Sequence, residues 1–258
     1  MDYCTLDGVK SELNIISDDN DDILQAMIEQ AKEFIDSFCN REFDTIVATS
    51  RYFDGANILF VDDLVSIDAV KIGVASATTA LHLIDATLSP FLATDVGSTV
   101  YNTTDRTSAI ITVFTSTSDI TLDTDIMTIG EGYSIGGFRL DTDGDGAYES
   151  TLATTDYKLY PLNKMPKTRI EISSNSNYGG FASGVKKGVE IKGTWGYAST
   201  IPKAISRASM IQVCRWFKRK DSAFATVVGV GELGMVEISR GLDPDIALIL
   251  KPYMKRIL

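Results

Sequence analysis

Apolar residues recur every three or four positions near both ends of the chain, and this helical period stops between them. The clearest case follows the acidic cluster of residues 18–22, whose negative charge favours the positive end of a helix dipole. The spacing predicts an amphipathic helix over residues 19–40, with an apolar stripe formed by Ile23, Leu24, Met27, Ile28, Ala31, Phe34, Ile35 and Phe38. Similar patterns predict helices over residues 5–13, 202–220 and 244–257.

Short runs of β-branched residues, separated by turn residues, replace this pattern between Phe43 and Thr200. The runs predict strands over residues 51–53, 58–61, 67–72, 110–114, 169–172 and 189–195. We therefore expect an α+β fold in which the terminal helices form a small helical bundle. The β-rich middle is expected to carry an inserted small β-domain.

Charge separates the same regions of the chain. The 258 residues include 24 Lys and Arg and 35 Asp and Glu, which gives a formal net charge of −11. Residues 1–72 carry a net charge of −11, residues 73–157 carry −10, and residues 158–258 carry +10. An acidic start and a basic end nearly cancel when they fold together, whereas the middle keeps its charge. The pattern predicts a body of residues 1–72 and 157–258, with residues 73–156 as an inserted, removable β-rich domain.

Side chains that commonly carry out catalysis are scarce in this sequence. His82 is the only histidine, and it lies between two leucines in a Thr-rich stretch. Cys4, Cys39 and Cys214 are too widely spaced to indicate a zinc site, and we expect them to be reduced. Paired carboxylates could serve a glycosidase, but the sequence offers no way to choose a pair. We therefore expect a protein that is not an enzyme and that binds no organic cofactor.

Residues 229–234 match the glycine pattern of dinucleotide-binding loops and follow the strand-like residues 226–228. A dinucleotide fold requires a helix that begins at the third glycine, whereas residues 235–238 alternate as an extended segment. The pattern therefore predicts a loop between two helices, and we expect no nucleotide site there.

Acidic residues alternate at Asp141, Asp143 and Asp145, close to turn glycines, which is the spacing of oxygen ligands in a calcium loop. Glu149 occupies the ninth position of such a loop. Leu152 stands at the twelfth, where an EF-hand has a bidentate glutamate, and the flanks resemble strands rather than helices. Two interpretations stay open: a β-hairpin with an Asp-Gly turn, or a weak structural calcium site held by the three aspartates.

An apolar stripe near the C-terminus is a candidate interface. Its members, at helical spacing, are Leu242, Ile246, Ile249, Leu250 and Tyr253. A stripe of this kind packs either on the chain's own helices or on a partner protein or adjacent subunit, and both interpretations stay open. The basic face of the helix predicted over residues 202–220 is expected to contact the acidic first 72 residues or a partner.

Four stretches resemble, in their order and spacing, the head-tail connector (adaptor) proteins of tailed bacteriophages. The first is the acidic cap and amphipathic helix of residues 19–43. The others are residues 51–55 with 64–67, residues 156–163, and residues 193–202, which run into the next helix. All four lie in the predicted body except for residue 156, the last of the predicted insert, and none contains a catalytic motif.

The resemblance implies a virion protein of the phage neck that is made in the cytoplasm of the bacterial host. Identical subunits, twelve if they follow the portal, would form a ring between the portal protein and a stopper or tail protein. Genomic DNA would only pass through the channel. We expect no membrane partner, because no apolar run approaches the roughly 20 residues of a membrane helix. The alternative is a calcium-dependent adhesion or carbohydrate-binding module built on residues 73–156.

Overall fold

The computed structural model describes residues 2–220, 227–229, 235–237 and 244–255. Within these residues the fold is α+β, as predicted, with four α-helices and antiparallel sheets. The chain divides into two compact units. The helical unit comprises Met1–Asp44 and Ala198–Leu258, and the β unit comprises Thr45–Tyr197.

The helical unit contains helices at the four predicted places. They are α1 (Leu6–Leu13), α2 (Asp21–Cys39), α3 (Lys203–Arg219) and α4 (Pro244–Leu250), which continues as a 3-10 turn (Lys251–Tyr253). The Thr5 hydroxyl accepts a hydrogen bond from the Gly8 amide (3.1 Å) and so caps α1. Asn40 adopts the left-handed conformation (φ 50°) directly after α2, at the predicted end of that helix. The last α-helix is shorter than predicted, because Pro252 has no N–H to continue the α-helical hydrogen bonds.

The apolar stripes of α1, α2 and α3 pack against one another. The buried core of this unit consists of Cys4, Val9, Leu24, Ile28, Ala31, Val213 and Cys214. All three cysteines are free and buried. Burial raises the pKa of the Cys39 thiol to about 11, so this thiol stays protonated and unreactive at neutral pH.

Arg207 of α3 and Lys220, which directly follows α3, contact the first segment of the chain. The Arg207 guanidinium lies 3.0 Å from the Glu12 carboxylate of α1. The Lys220 ammonium donates a hydrogen bond to the Asn20 side chain, beside the acidic cap of α2 (2.9 Å). Part of the predicted charge compensation between the two ends of the chain therefore occurs inside the helical unit.

The β unit consists of two antiparallel sheets. Its strands are β1 (Ile46–Phe53), β2 (Ile58–Ile67), β3 (Lys71–Val74), β4 (Ala77–Thr79), β5 (His82–Ile84), β6 (Thr99–Asn102), β7 (Ser108–Ser116), β8 (Asp119–Leu122), β9 (Gly132–Ile135), β10 (Phe138–Leu140), β11 (Ser150–Leu152), β12 (Tyr157–Tyr160), β13 (Lys167–Ile172) and β14 (Val189–Trp195). The strand predicted over residues 189–195 coincides with β14. The strand predicted over residues 67–72 is wrong, because β2 ends at Ile67 and the Asp68 amide donates to the Lys192 carbonyl instead.

The first sheet has the order β11-β10-β14-β2-β13-β12, and β1 pairs with the other edge of β14. Its core contains Leu59, Val61, Leu64, Phe138, Leu140, Leu152, Tyr157, Ile170, Phe181, Val189, Ile191 and Trp195. The second sheet has the order β3-β9-β6-β7-β8-β5-β4 and a separate core. Residues 71–135 therefore supply all strands of the second sheet.

The limits of the second sheet differ from those of the predicted insert, residues 73–156. The predicted start falls inside β3, and β10 and β11 pair with the first sheet rather than the second. Arg139 and Leu140 face β14 residues of the body, which explains why the first sheet retains this hairpin. That residues 73–156 fold as a separate domain stays a prediction.

Candidate functional site

The acidic loop between β10 and β11 is built around Asp141, which is 3% exposed. One oxygen of its carboxylate accepts a hydrogen bond from the Gly144 amide (2.6 Å), and the other accepts one from the Gly146 amide (3.0 Å). Both glycines have φ near +90°, a conformation that other residues rarely adopt. The Asp141 carboxylate therefore holds the turn through backbone amides.

Three carboxylates of this loop lie close enough to hold one metal ion. The ligand oxygens of Asp141, Asp143 and Glu149 lie within 4.8 Å of one another. The predicted set is therefore changed: Glu149 joins it, as its ninth position in the loop would suggest. Asp145 is not part of this group, and its carboxylate accepts a hydrogen bond from the Ala147 amide (2.7 Å). The two amide hydrogen bonds to Asp141 are those of the Asp-Gly turn, and each carboxylate oxygen keeps a further lone pair, so both interpretations stay open and calcium binding stays a prediction.

A buried charge cluster joins the two sheets of the β unit. The Asp95 carboxylate lies 2.5 Å from the Lys71 ammonium and 3.1 Å from the Lys192 ammonium, and Lys192 also donates to the Thr94 carbonyl (3.2 Å). Burial alone would raise the pKa of Asp95, but Lys71, the Leu92 amide and Lys192 outweigh burial and lower it. These groups border a cavity of about 360 Å³ that residues of both sheets line.

A second buried ion pair lies nearby, between Arg139 of β10 and Glu190 of β14, which face each other across the strands. The Arg139 guanidinium also donates to the Thr99 carbonyl of the second sheet (3.1 Å). The Tyr52 hydroxyl donates to the other Glu190 oxygen (3.4 Å). Both clusters tie residues of the predicted insert to β14 of the body, and charge patterning along the sequence gave no sign of these pairs.

His82 forms a side-chain contact between two neighbouring strands. The His82 ring lies 2.7 Å from the Asp119 carboxylate on the adjacent strand, so this pair links β5 to β8.

Residues Val227–Gly229 and Met235–Glu237 form an antiparallel pair of strands, β15 and β16. A strand, rather than a helix, therefore follows the third glycine. This finding confirms that the dinucleotide-binding context is not met.

The first part of the chain matches a known protein family. Residues 3–71 match the family model for phage gp6-like head-tail connector proteins. The match covers α1, α2, β1, β2 and the first residue of β3, and it confirms the resemblance over this segment. No curated protein matches the chain.

Head-tail connector proteins are structural components of phage particles, and the match to their family extends over residues 3–71, which we call the connector segment. None of these findings supports the alternative of an adhesion or carbohydrate-binding module. In the part of the chain that the structure describes, no helix is both long and apolar enough to cross a membrane.

A polar network fixes the end of α2 in the connector segment. The Tyr3 hydroxyl donates to the Asp36 carboxylate and accepts a hydrogen bond from the Phe43 amide (2.9 Å). The Lys32 ammonium lies 3.0 Å from Asp44 and 3.8 Å from Asp36. Burial raises the pKa of the Asp36 carboxyl. This network holds the start of the chain against the turn that leads into the β unit.

The C-terminal stripe packs largely against the chain's own helical unit. Ile246 and Leu250 are fully buried, and α4 contacts α3. The Tyr253 ring packs edge-on against Phe43 of the connector segment, with 5.9 Å between ring centroids. Ile249 is half-buried, and Leu242 lies outside the described residues. Packing on the chain's own helices thus accounts for Ile246, Leu250 and Tyr253, and a partner contact by this stripe stays a prediction.

Proposed function

We propose that the protein is a structural subunit of the phage neck, where identical copies form a ring between the portal protein and a stopper or tail protein. The match of residues 3–71 to the head-tail connector family carries this proposal. Twelve copies would match the symmetry of a twelvefold portal. Genomic DNA would pass through the central channel on its way into the tail.

The charge of the chain is compatible with a channel that DNA passes through without being held. A net charge of −11 gives the protein the same sign as the phosphate backbone, and strong DNA binding depends on many Lys and Arg contacts. The structure also suits a load-bearing part, because buried ion pairs and antiparallel pairing join the strands of the β unit.

Inactivation of the gene in the phage tests this function. A stop codon in the first third of the gene should give heads and tails that do not join, seen by negative-stain electron microscopy of the lysate. A plasmid copy of the wild-type gene should restore joined particles, whereas a plasmid copy with the same stop codon should not. Joined, infectious particles that lack the protein by mass spectrometry would refute the proposal.

A further inference from the structure

The outer face of the first sheet exposes apolar and basic side chains together. Across β12, β13 and β2, Tyr160 pairs with Arg169, which pairs with Phe60. The next row on the same face of the sheet is Lys158, Glu171 and Ile58. Residues directly opposite one another in antiparallel strands share a face, and the alternate row, Leu159, Ile170 and Leu59, packs in the core. The rows that contain Phe60 and Ile58 therefore face outward.

This outer face, with the tip of the β12–β13 hairpin, forms what we call the basic surface: Ile58, Phe60, Lys158, Leu162 and Lys164. Phe60 is 65% exposed and Leu162 is 60% exposed. Residues 157–169 contain four basic side chains and no acidic one. Arg169 pairs with Glu171 (3.0 Å), whereas Lys158 and Lys164 form no ion pair with the described residues. Large exposed apolar residues beside unpaired charge are typical of a protein interface.

The second sheet carries a surface with the opposite charge, which we call the acidic surface: Leu81, Ile110, Asp123 and Asp125. The Ile110 amide donates to Asp123 (2.8 Å), and the Leu81 amide donates to Asp125 (3.1 Å), so each carboxylate lies beside an exposed apolar residue. Residues 107–131 contain four acidic side chains and no basic one. Among the described residues, no ion pair involves Asp123, Asp125, Lys158 or Lys164, so their charges are available to a partner.

We propose that the basic surface of one copy binds the acidic surface of the next copy. This inference rests on the proposed function, because a ring of identical subunits repeats one head-to-tail contact between two different surfaces. The two surfaces match in both respects that such a contact requires: opposite charge steers and orients the copies, and apolar side chains on each side provide buried area.

A second copy suits the basic surface better than DNA does. Phosphates are bound by Lys and Arg and gain nothing from Phe60, Ile58 or Leu162 beside them. A partner that presents both carboxylates and apolar side chains fits this composition, and the acidic surface presents both.

Two variants of the full chain test the contact. Lys158→Glu with Lys164→Glu reverses the charge of the basic surface. Asp123→Asn with Asp125→Asn removes the charge of the acidic surface but keeps an oxygen that accepts the two amide hydrogen bonds. Lys186→Glu is the control, since Lys186 is an exposed lysine outside both surfaces. Thermal unfolding of every variant checks that it is folded.

Mass photometry, with and without the portal protein of the same phage, gives the readout. Each double variant alone should associate at least about tenfold more weakly than the wild type, whereas the Lys186→Glu control should assemble normally. An equal mixture of the two double variants should form dimers and nothing larger. Each such dimer has one intact contact, and its outer surfaces are both disabled.

Three results would overturn the contact. In the first, both double variants assemble like the wild type, which refutes the proposed contact but not the proposed ring. In the second, the Lys158→Glu, Lys164→Glu variant assembles normally but loses binding to a labelled DNA duplex, which assigns the surface to nucleic acid. In the third, the wild-type chain stays monomeric with and without the portal, which overturns the proposed function as well.

Discussion

Asp95 holds a central place in the β unit at the scale of single residues. Its carboxylate is 3% exposed and balances the ammonium groups of Lys71 and Lys192. We expect Asp95→Asn to lower the free energy of unfolding by about 3–5 kcal/mol, because it leaves buried lysine charge without a counter-charge. Urea unfolding followed by circular dichroism measures this difference.

The exposed pair of Asp54 and Lys186 provides the matched control for this substitution. Both side chains lie mostly in water, 2.7 Å apart. Asp54→Asn should leave the urea midpoint unchanged within error, because water already screens these charges. Equal midpoints for Asp95→Asn and the wild type would show that the buried cluster does not stabilise the fold.

The same carboxylate predicts a pH dependence with a definite sign. The pKa of Asp95 is lowered in the folded chain, whereas an unfolded aspartate has a pKa of about 3.9. Ionised Asp95 therefore stabilises the fold above that value, and this contribution is lost as the pH falls through the folded pKa. The difference in the free energy of unfolding between the wild type and Asp95→Asn should have its full value at pH 6 and should shrink below about pH 4.

Calcium titration separates the two interpretations of the acidic loop. We expect the melting temperature to stay constant from EDTA to millimolar calcium, because the amides of Gly144 and Gly146 hold the Asp141 carboxylate and close the turn without a metal ion. Asp141→Ala should lower the free energy of unfolding by about 1–3 kcal/mol, since it leaves those amides unpaired. A calcium-dependent rise in melting temperature that Asp143→Asn abolishes would contradict this expectation and establish the site.

Single-residue patterns could indicate the acidic loop but not the buried clusters. The spacing of acidic residues predicts a shared site of Asp141, Asp143 and Asp145, and the structure brings Glu149, rather than Asp145, to Asp141 and Asp143. Asp95 and Lys192 are 97 positions apart, and only the pairing of strands brings them together. The charge pattern therefore predicts uncompensated negative charge in the middle segment, whereas Asp95 of that segment pairs with Lys192 and Lys71.

At the scale of elements, α4 separates buried from exposed apolar residues within one turn. Leu250 is fully buried, and Leu248 is 69% exposed. We expect Leu250→Ala to lower the free energy of unfolding by about 2–5 kcal/mol, and Leu248→Ala to have little effect on it. Chemical denaturation of both variants checks this contrast. Equally small changes in the free energy of unfolding for both variants would show that α4 does not belong to the core. They would favour the interpretation that its apolar stripe is a partner interface.

Elements with a long apolar period were predictable, and elements set by distant contacts were not. The 3.6-residue period and the asparagine at its end placed α2 within two residues at its N-terminus and one at its C-terminus. The charge pattern places the β10–β11 hairpin inside the insert, residues 73–156. In the structure β10 pairs with β14, about fifty positions further along the chain, and β11 pairs with β10.

At the scale of the whole molecule, the buried clusters change what removal of the insert should do. Excision of residues 73–156 deletes Asp95 and Arg139, the partners of Lys192 and Glu190, and also removes β10 and β11. We now expect the shortened chain to aggregate or to lose its cooperative unfolding transition. A soluble product with a sharp thermal transition would show instead that the insert is an independent domain.

The proposed ring of identical copies at the portal is tested most directly by imaging the two proteins together. Cryo-electron microscopy of the purified full chain, mixed with the portal protein of the same phage, should show a closed ring with an open channel docked on the portal. The helical unit and the β unit should both fit the density of every subunit. Portal rings without added density, together with a protein that stays monomeric, would contradict the account.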